Sequence, residues 1–232
     1  MMLQQTQVER VIPYYKKFVQ TYPTIQALAR APLADVLKIW QGLGYNRRAK
    51  FLHKAAQQIV STYNGKIPTD AAELESVWGI GPYTAHAVMT FAFNHDAVFI
   101  ETNIRTVIIH HFYKDDESIS EEDIANVLKK MLPHGEARAW YSALMDYGAY
   151  LKRSGVRINT KAKGYTKQST FIGSDRQARG AILKELSIRP ASAKRLSGLL
   201  GDDRKPQLSL QLGKLLKEGM IQKKGTRYQL PA

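Results

Sequence analysis

The sequence predicts an all-α domain over residues 1–154 and a small α+β domain over residues 175–232, joined by a basic linker or arm over 155–174. Three observations lead there. Apolar residues recur at helical spacing through most of the chain, strand-like alternation is scarce, and positive charge gathers beyond residue 154. Residues 1–154 carry 17 Lys and Arg against 15 Asp and Glu, whereas residues 155–232 carry 17 against 5.

The elements follow in order. Val8, Val11, Ile12, Tyr15, Phe18 and Val19 space one apolar helix face, and Leu33, Val36, Leu37 and Trp40 another. An apolar helix end beginning at Leu74 runs into Gly79-Ile80-Gly81, and a new helix starts at Pro82, whose fixed φ suits a first helical position. Ser120-Glu-Glu-Asp123 before Ile124, Val127 and Leu128 places a capped, acid-rich first turn on a further helix that Pro133-His-Gly135 ends. Gly155 to Ser174, with Lys161, Lys163, Gly164, Lys167 and Gly173, lacks sustained apolar periodicity and reads as the linker or extended arm. Asp175 then caps a helix through Leu186, Ala191 to Leu200 gives a second, and Pro206 to Glu218 a third ending at Gly219. Met220 to Leu230 alternates about Lys224-Gly225 like a hairpin.

Bulk composition narrows the function classes. The 232 residues suffice for a buried core, no apolar run reaches membrane-spanning length and no charged-then-apolar leader precedes Gln4, so a soluble cytoplasmic protein is expected. Cysteine is absent, which excludes disulfides and thiolate-held iron–sulfur clusters. His53, His86, His110 and His111 show no metal-ligand spacing; buried or half-buried structural roles are expected for them, and Asp115-Asp116-Glu117 reads as a solvated loop. A net charge of +14, placed mostly in the C-terminal third, favours a polyanionic partner.

The most informative stretch is Leu74 to Val88. Two glycines, Gly79 and Gly81, permit a tight turn ahead of the helix from Pro82, with Tyr83 and Thr84 in its first turn. Exposed backbone amides and the positive end of the helix dipole suit a phosphate oxygen, so beside its neighbouring motifs the hairpin reads as a clamp on a nucleic-acid backbone; the glycine motif taken alone reads first as an ordinary helix-turn-helix corner.

Four motifs in sequence carry a resemblance: Met2-Leu-Gln-Gln-Thr-Gln-Val8, Trp40-Gln-Gly-Leu-Gly-Tyr-Asn-Arg-Arg-Ala49, the glycine hairpin, and Ile100-Glu-Thr-Asn-Ile-Arg-Thr-Val107. Over roughly residues 1 to 152 they resemble the helix-hairpin-helix DNA glycosylases, most of all the adenine-DNA glycosylases of the MutY type. The resemblance implies base-excision repair by cleavage of the bond between base and sugar, on a nucleotide extruded from duplex DNA. It implies that Gln4, Gln5, Tyr45 and Asn46 wedge into or line the DNA, with Arg47, Thr84 and Arg105 as further DNA contacts. Asn46 stands where the family usually has a second tyrosine. Many relatives carry a four-cysteine cluster after the segment resembling Met145 to Tyr150, where this chain has Lys152, Arg153 and Arg157; no cofactor is expected.

Base–sugar cleavage builds positive charge on the sugar, which a fixed carboxylate stabilises. Glu101 aligns with the family aspartate in that role and is one methylene longer, so a retracted backbone or a bent rotamer is needed to reach the same point. Asn103 aligns with an asparagine that helps position the site. Apart from the resemblance, Glu101 is also explained as an acid near the start of a helix. Tyr83 stands where backbone-cutting relatives carry a lysine and cannot form a Schiff base, which implies a monofunctional enzyme using water. The glutamate that protonates the leaving adenine in MutY-type enzymes would fall immediately before Met1, an expectation of either truncation or loss of adenine chemistry.

Three helices and a terminal hairpin resemble a winged helix, whose third helix would offer Lys205, Gln207, Ser209, Gln211 and Lys214 as exposed polar residues for a DNA groove; a protein-binding winged helix is the alternative. The leading expectation is a monomeric glycosylase for adenine opposite a damaged or mispaired guanine in double-stranded DNA. The alternatives are a thymine or uracil mismatch glycosylase and a non-catalytic DNA-binding module.

Overall fold

The computed structural model describes residues 1–163, 165 and 170–231. Among the described residues, nine helices fill the first two thirds: α1 (Val8–Thr21), α2 (Ile25–Arg30), α3 (Leu33–Trp40), α4 (Arg47–Thr62), α5 (Ala71–Ser76), α6 (Pro82–Phe93), α7 (Thr102–Phe112), α8 (Glu121–Met131) and α9 (Ala137–Arg153). Three more follow, α10 (Asp175–Ile188), α11 (Ala193–Leu200) and α12 (Lys205–Lys217), with strands β1 (Ala191–Ser192), β2 (Gln222–Lys224) and β3 (Arg227–Gln229). The strands form one antiparallel sheet in the order β1-β3-β2. No helix among the described residues is long and apolar enough to cross a membrane.

Local chemistry sets many of the boundaries. The Thr24 side chain caps α2 through the Ala27 amide, Ser174 caps α10 through Gln177, and Ser192 caps α11 through Arg195. At α8 the expected acid-rich start is a full capping box: Ser120 Oγ accepts from the Asp123 amide while the Asp123 carboxylate accepts from the Ser120 amide. Asn94 ends α6 in the left-handed conformation at φ 58°.

The chain divides into two compact units, and the division is not the linear one the sequence suggested. One comprises Met1–Ile67, Val77–Gly79 and Ser169–Ala232; the other, Pro68–Ser76 and Ile80–Gln168. In the first unit a single core joins Val36, Leu37 and Trp40 of α3 to Ile182, Leu183 and Leu186 of α10, Leu212 and Leu215 of α12, and Met220 and Ile221. The expected boundaries at 154 and 174 therefore do not coincide with compact units, because apolar spacing marks which face of a helix is buried but not against what. The core of the second unit is Phe99, Ile104, Ile108, Ile109, Ile119, Ile124, Leu128 and Tyr141, with a smaller cluster of Leu74, Ala85 and Met89.

The linker or arm expected over 155–174 is corrected for its first half. Residues 155–163 turn back onto the second unit: Asn159–Lys161 form a 3-10 turn, Ala162 is buried and bridges to Ile119, and Ile158 packs on the core. Few apolar residues suffice because the segment is held by hydrogen bonds. Gly164 and Lys167, named with it, lie outside the described residues.

Candidate active site

The two hairpin glycines have different reasons to be there. Gly79 has φ +74°, and a Cβ on it would fall 2.5 Å from Phe51 Cβ, so backbone sign and crowding both demand glycine. Gly81 has φ −99° and open space around it; it is the N-cap of α6, ahead of Pro82. The Gly81 carbonyl accepts from the Ala85 amide at 2.9 Å. Tyr83 lies in the first turn of α6, at the positive end of the helix dipole, so this helix start can receive an anion.

In the same unit Glu101 is the N-cap of α7. Its Oε2 accepts from the Asn103 amide at 2.5 Å, so the longer side chain folds back onto the helix end. The capping arrangement is thus realised, and it fixes where the carboxylate charge sits. Tyr83 packs edge-on against Phe99 with centroids 5.9 Å apart, and Phe99 lies on Tyr141. Partial burial of the Tyr83 hydroxyl, then the nearby Glu101 charge, hold its pKa above the ordinary value. Tyr83 remains 43% exposed. Glu101, Asn103 and Tyr83 are therefore set on two helix starts of one unit.

The first turn of α7 is buttressed by groups that sequence reasoning did not select. Lys152 Nζ donates to Asn103 Oδ1 at 2.7 Å, and Asn159 Nδ2 donates to the Thr102 carbonyl at 3.3 Å and to Thr106 Oγ1 at 2.9 Å. Gly148 of α9 lies so close that a Cβ there would fall 2.2 Å from the Asn103 carbonyl oxygen. Only the small residue inside a helix hinted at this. Arg105, expected on DNA, instead donates from Nε and Nη2 to Glu121 Oε1 at 3.0 and 2.7 Å.

The other expected DNA-lining residues belong to the first unit. Gln4 and Gln5 lie in a turn before α1, with Gln5 at φ 55°. Tyr45, at φ 45°, accepts at its hydroxyl from Arg176 at 2.8 Å, with the Arg48 and Arg176 guanidinium groups over its ring. Asn46 departs from expectation: at 8% exposure it is enclosed at the start of α4 and is no exposed wedge. Arg47 is exposed, with Glu218 at 3.7 Å. Arg48 was passed over, yet its guanidinium ties the two motif turns together. It donates to the Met1, Met2, Gln4, Leu43 and Gly44 carbonyls and to Thr6 Oγ1. Burial holds its pKa below the usual arginine value, and Tyr45 partly offsets this.

Of the polar residues expected on the third C-terminal helix, most serve the fold. Gln207 donates to the Gly173 carbonyl and to Asp175, and accepts from Arg204. Lys214 pairs with Asp175 at 3.5 Å, and Gln211 is 1% exposed. Lys205 and Ser209 remain exposed. Among the histidines, His53 bonds the Ala31 carbonyl and His86 that of Val98, while His111, expected to be at least half-buried, is exposed and meets the Tyr147 hydroxyl at 2.9 Å. No cluster of three metal-ligating side chains occurs among the described residues.

Residues 1–134 match the HhH-GPD superfamily base excision DNA repair protein family. The chain is 33% identical to an adenine DNA glycosylase of Mycolicibacterium smegmatis, over 95% of this chain and 81% of that one. A thermostable thymine-DNA glycosylase shares its fold with a TM-score of 0.55 at 25% identity, and a non-covalent endonuclease III–DNA complex with 0.57 at 24%. Each match covers 64% of this chain and 70% of the other.

Proposed function

Because the chain belongs to the HhH-GPD superfamily of base excision DNA repair proteins, we propose that it is a monofunctional DNA N-glycosylase. Its substrate is duplex DNA, and it hydrolyses the glycosidic bond of an extruded mispaired base, adenine opposite a damaged or mispaired guanine. The observation that carries the reading is the Glu101–Asn103 turn: one carboxylate oxygen is spent on the Asn103 amide at 2.5 Å, so the charge is held in place before substrate arrives. Oε1 then faces the positive charge that develops on the sugar as the base departs, and water completes the hydrolysis. Tyr83, a phenol held protonated at neutral pH, packs beside the reacting nucleotide without attacking it. The N-terminal end of α6 takes a phosphate of the same strand.

The basic C-terminal segment supplies sequence-independent attraction to the duplex. The order α10-β1-α11-α12-β2-β3, with β3 central, supports a winged-helix reading of it. Exposed Lys223, Lys224 and Arg227 on its hairpin add to Lys205 as contacts for the DNA backbone. We place the enzyme in the cytoplasm, on nucleoid DNA, as a monomer. It works without the iron–sulfur cluster that many relatives carry after α9. The residues present do not fit one: the chain has no cysteine, Lys152 is bonded to Asn103, and Arg157 is bonded to backbone carbonyls.

The test is single-turnover excision on duplexes carrying A opposite 8-oxoguanine, A·G, T·G and U·G, followed by alkaline cleavage of abasic sites. Adenine release that Glu101→Gln lowers by about 100-fold or more, with duplex affinity kept, is expected. Release of thymine or uracil in place of adenine would move the chain to the mismatch class of the thymine-DNA glycosylase it resembles in fold. Binding without release of any base would reduce it to a DNA-binding module.

A further inference from the structure

The chain leaving α9 is organised around α7 to an extent its sequence does not announce. Lys152 closes the last turn of α9 and donates to Asn103 Oδ1 at 2.7 Å. Arg157 Nη1 donates to the Lys152 carbonyl at 2.6 Å, and the Val156 amide to the Leu151 carbonyl at 3.0 Å, which bends the chain back on itself. Asn159 then holds Thr102 and Thr106 on α7, and Lys161 donates to the Lys114 carbonyl at 2.6 Å beyond the other end of that helix. The Ile119 amide donates to Lys161 O at 3.0 Å and the Lys163 amide to Ile119 O at 2.9 Å, fastening the far end. Residues 152–163 thus form a strap along α7.

A carboxamide can be turned either way about its last bond with almost no change in shape, and only its partners decide which end is oxygen. The Lys152 ammonium carries donors alone. It therefore accepts one of the two orientations of Asn103, with Oδ1 toward α9 and Nδ2 away from it; the reverse would set N–H against N–H. We propose that Lys152 is a positioning residue that fixes this orientation, so that Asn103 presents an N–H donor beside the Glu101 carboxylate. The role rests on the glycosylase reading for its consequence, because the donor then serves an acceptor of the reacting complex, the attacking water or a sugar oxygen. Gly148 and Asn159 fix the backbone of the same turn, and Lys152 fixes its side chain.

Three substitutions at this one half-buried position separate this role from a structural one. Lys152→Met keeps the stem and removes the donors, Lys152→Arg keeps donors, and Lys152→Glu offers only acceptors and so favours the opposite orientation. With the substrate that the full chain excises, saturating single-turnover rates are expected to fall about 10- to 100-fold in the Met variant, further in the Glu variant, and to recover largely in the Arg variant. Duplex affinity and the thermal midpoint should stay near those of the unaltered chain in all three. A second readout needs no excision: in protein labelled with nitrogen-15 at asparagine, the Asn103 side-chain amide pair should shift in the Met and Glu variants and return in the Arg variant.

An unmoved amide pair overturns the proposal, whatever the rates do. A moved pair with an unchanged rate overturns the role in positioning. If the unaltered chain releases no base from any duplex while the amide pair still responds as expected, the glycosylase reading fails and the orienting contact stands on its own.

Discussion

At the scale of single residues, the weight a side chain carries here follows from its partners rather than from its type. Arg47 and Arg48 are neighbours in sequence and identical in chemistry. Arg47 is exposed at the start of α4, whereas Arg48 is 8% exposed and joins carbonyls from two separate turns. A guanidinium spreads five donors over a planar fork of three nitrogens, whereas a lysine's three donors share one nitrogen and cannot reach carbonyls so far apart. Arg48→Met would strand the Met2 and Leu43 carbonyls without their donor, and a loss of about 3–5 kcal/mol in urea unfolding is expected, with little recovery in Arg48→Lys. A loss below about 1 kcal/mol would mean that water replaces the guanidinium and that the two turns hold without it. The sequence could not separate the two arginines, because helical phase near a helix start depends on where the cap falls, and Asn46 had been read as a surface wedge rather than an enclosed residue.

Helices and turns were the most legible part of the molecule where a local rule was strong. The Ser120 box and the Pro82 start follow from neighbours within four residues, and both appear as expected. Elements that depend on distant partners were hidden. β1 is two residues long and exists only because Ala191 and Ser192 pair with Tyr228 and Arg227. The first helix was read as one apolar face, yet only Val11 and Phe18 of that set are buried, while Val8, Ile12, Tyr15 and Val19 are 44–59% exposed. Spacing shows that a face is apolar but not how much of it is covered. The contact of α7 with α9 shows the same limit, since Gly148 looks like a poor helix residue until the Asn103 carbonyl is found against it. Gly148→Ala should raise intrinsic helix propensity by about 1 kcal/mol and yet destabilise the chain by about 1–3 kcal/mol, because the added methyl must push two backbones apart. Base release should fall with it, since the displaced turn carries Asn103. A stabilised Gly148→Ala protein would show that the helices part without cost.

For the whole molecule, the linear division into a large helical domain, an arm and a small basic domain was the natural reading, because composition changes sharply near residue 154. Charge is a property of the surface, however, and the core of the first unit takes no account of it. Trp40, Val36 and Leu37 are fully buried in the same cluster as Leu183, Leu186, Leu215 and Met220, and α10 lies against α3. Polar ties within that unit run the same way: Lys50 donates to the Glu218 carbonyl, and Arg179 pairs with the Glu218 carboxylate at 2.5 Å. The C-terminal helices are therefore part of what folds α1 to α4. A fragment ending at residue 168 should consequently lose more than DNA affinity. Removing the partners of Trp40, Val36 and Leu37 returns a continuous apolar surface to water, at about 25 cal/mol for each Å² uncovered, against a total stability of only about 5–15 kcal/mol. The fragment is expected to bind a hydrophobic dye strongly, to lose the near-ultraviolet circular dichroism contributed by Trp40 and to begin unfolding well below the temperature of the full chain, while keeping much of its helical signal. A fragment that unfolds cooperatively at the temperature of the full chain would restore the linear division and make the basic segment a separable appendage.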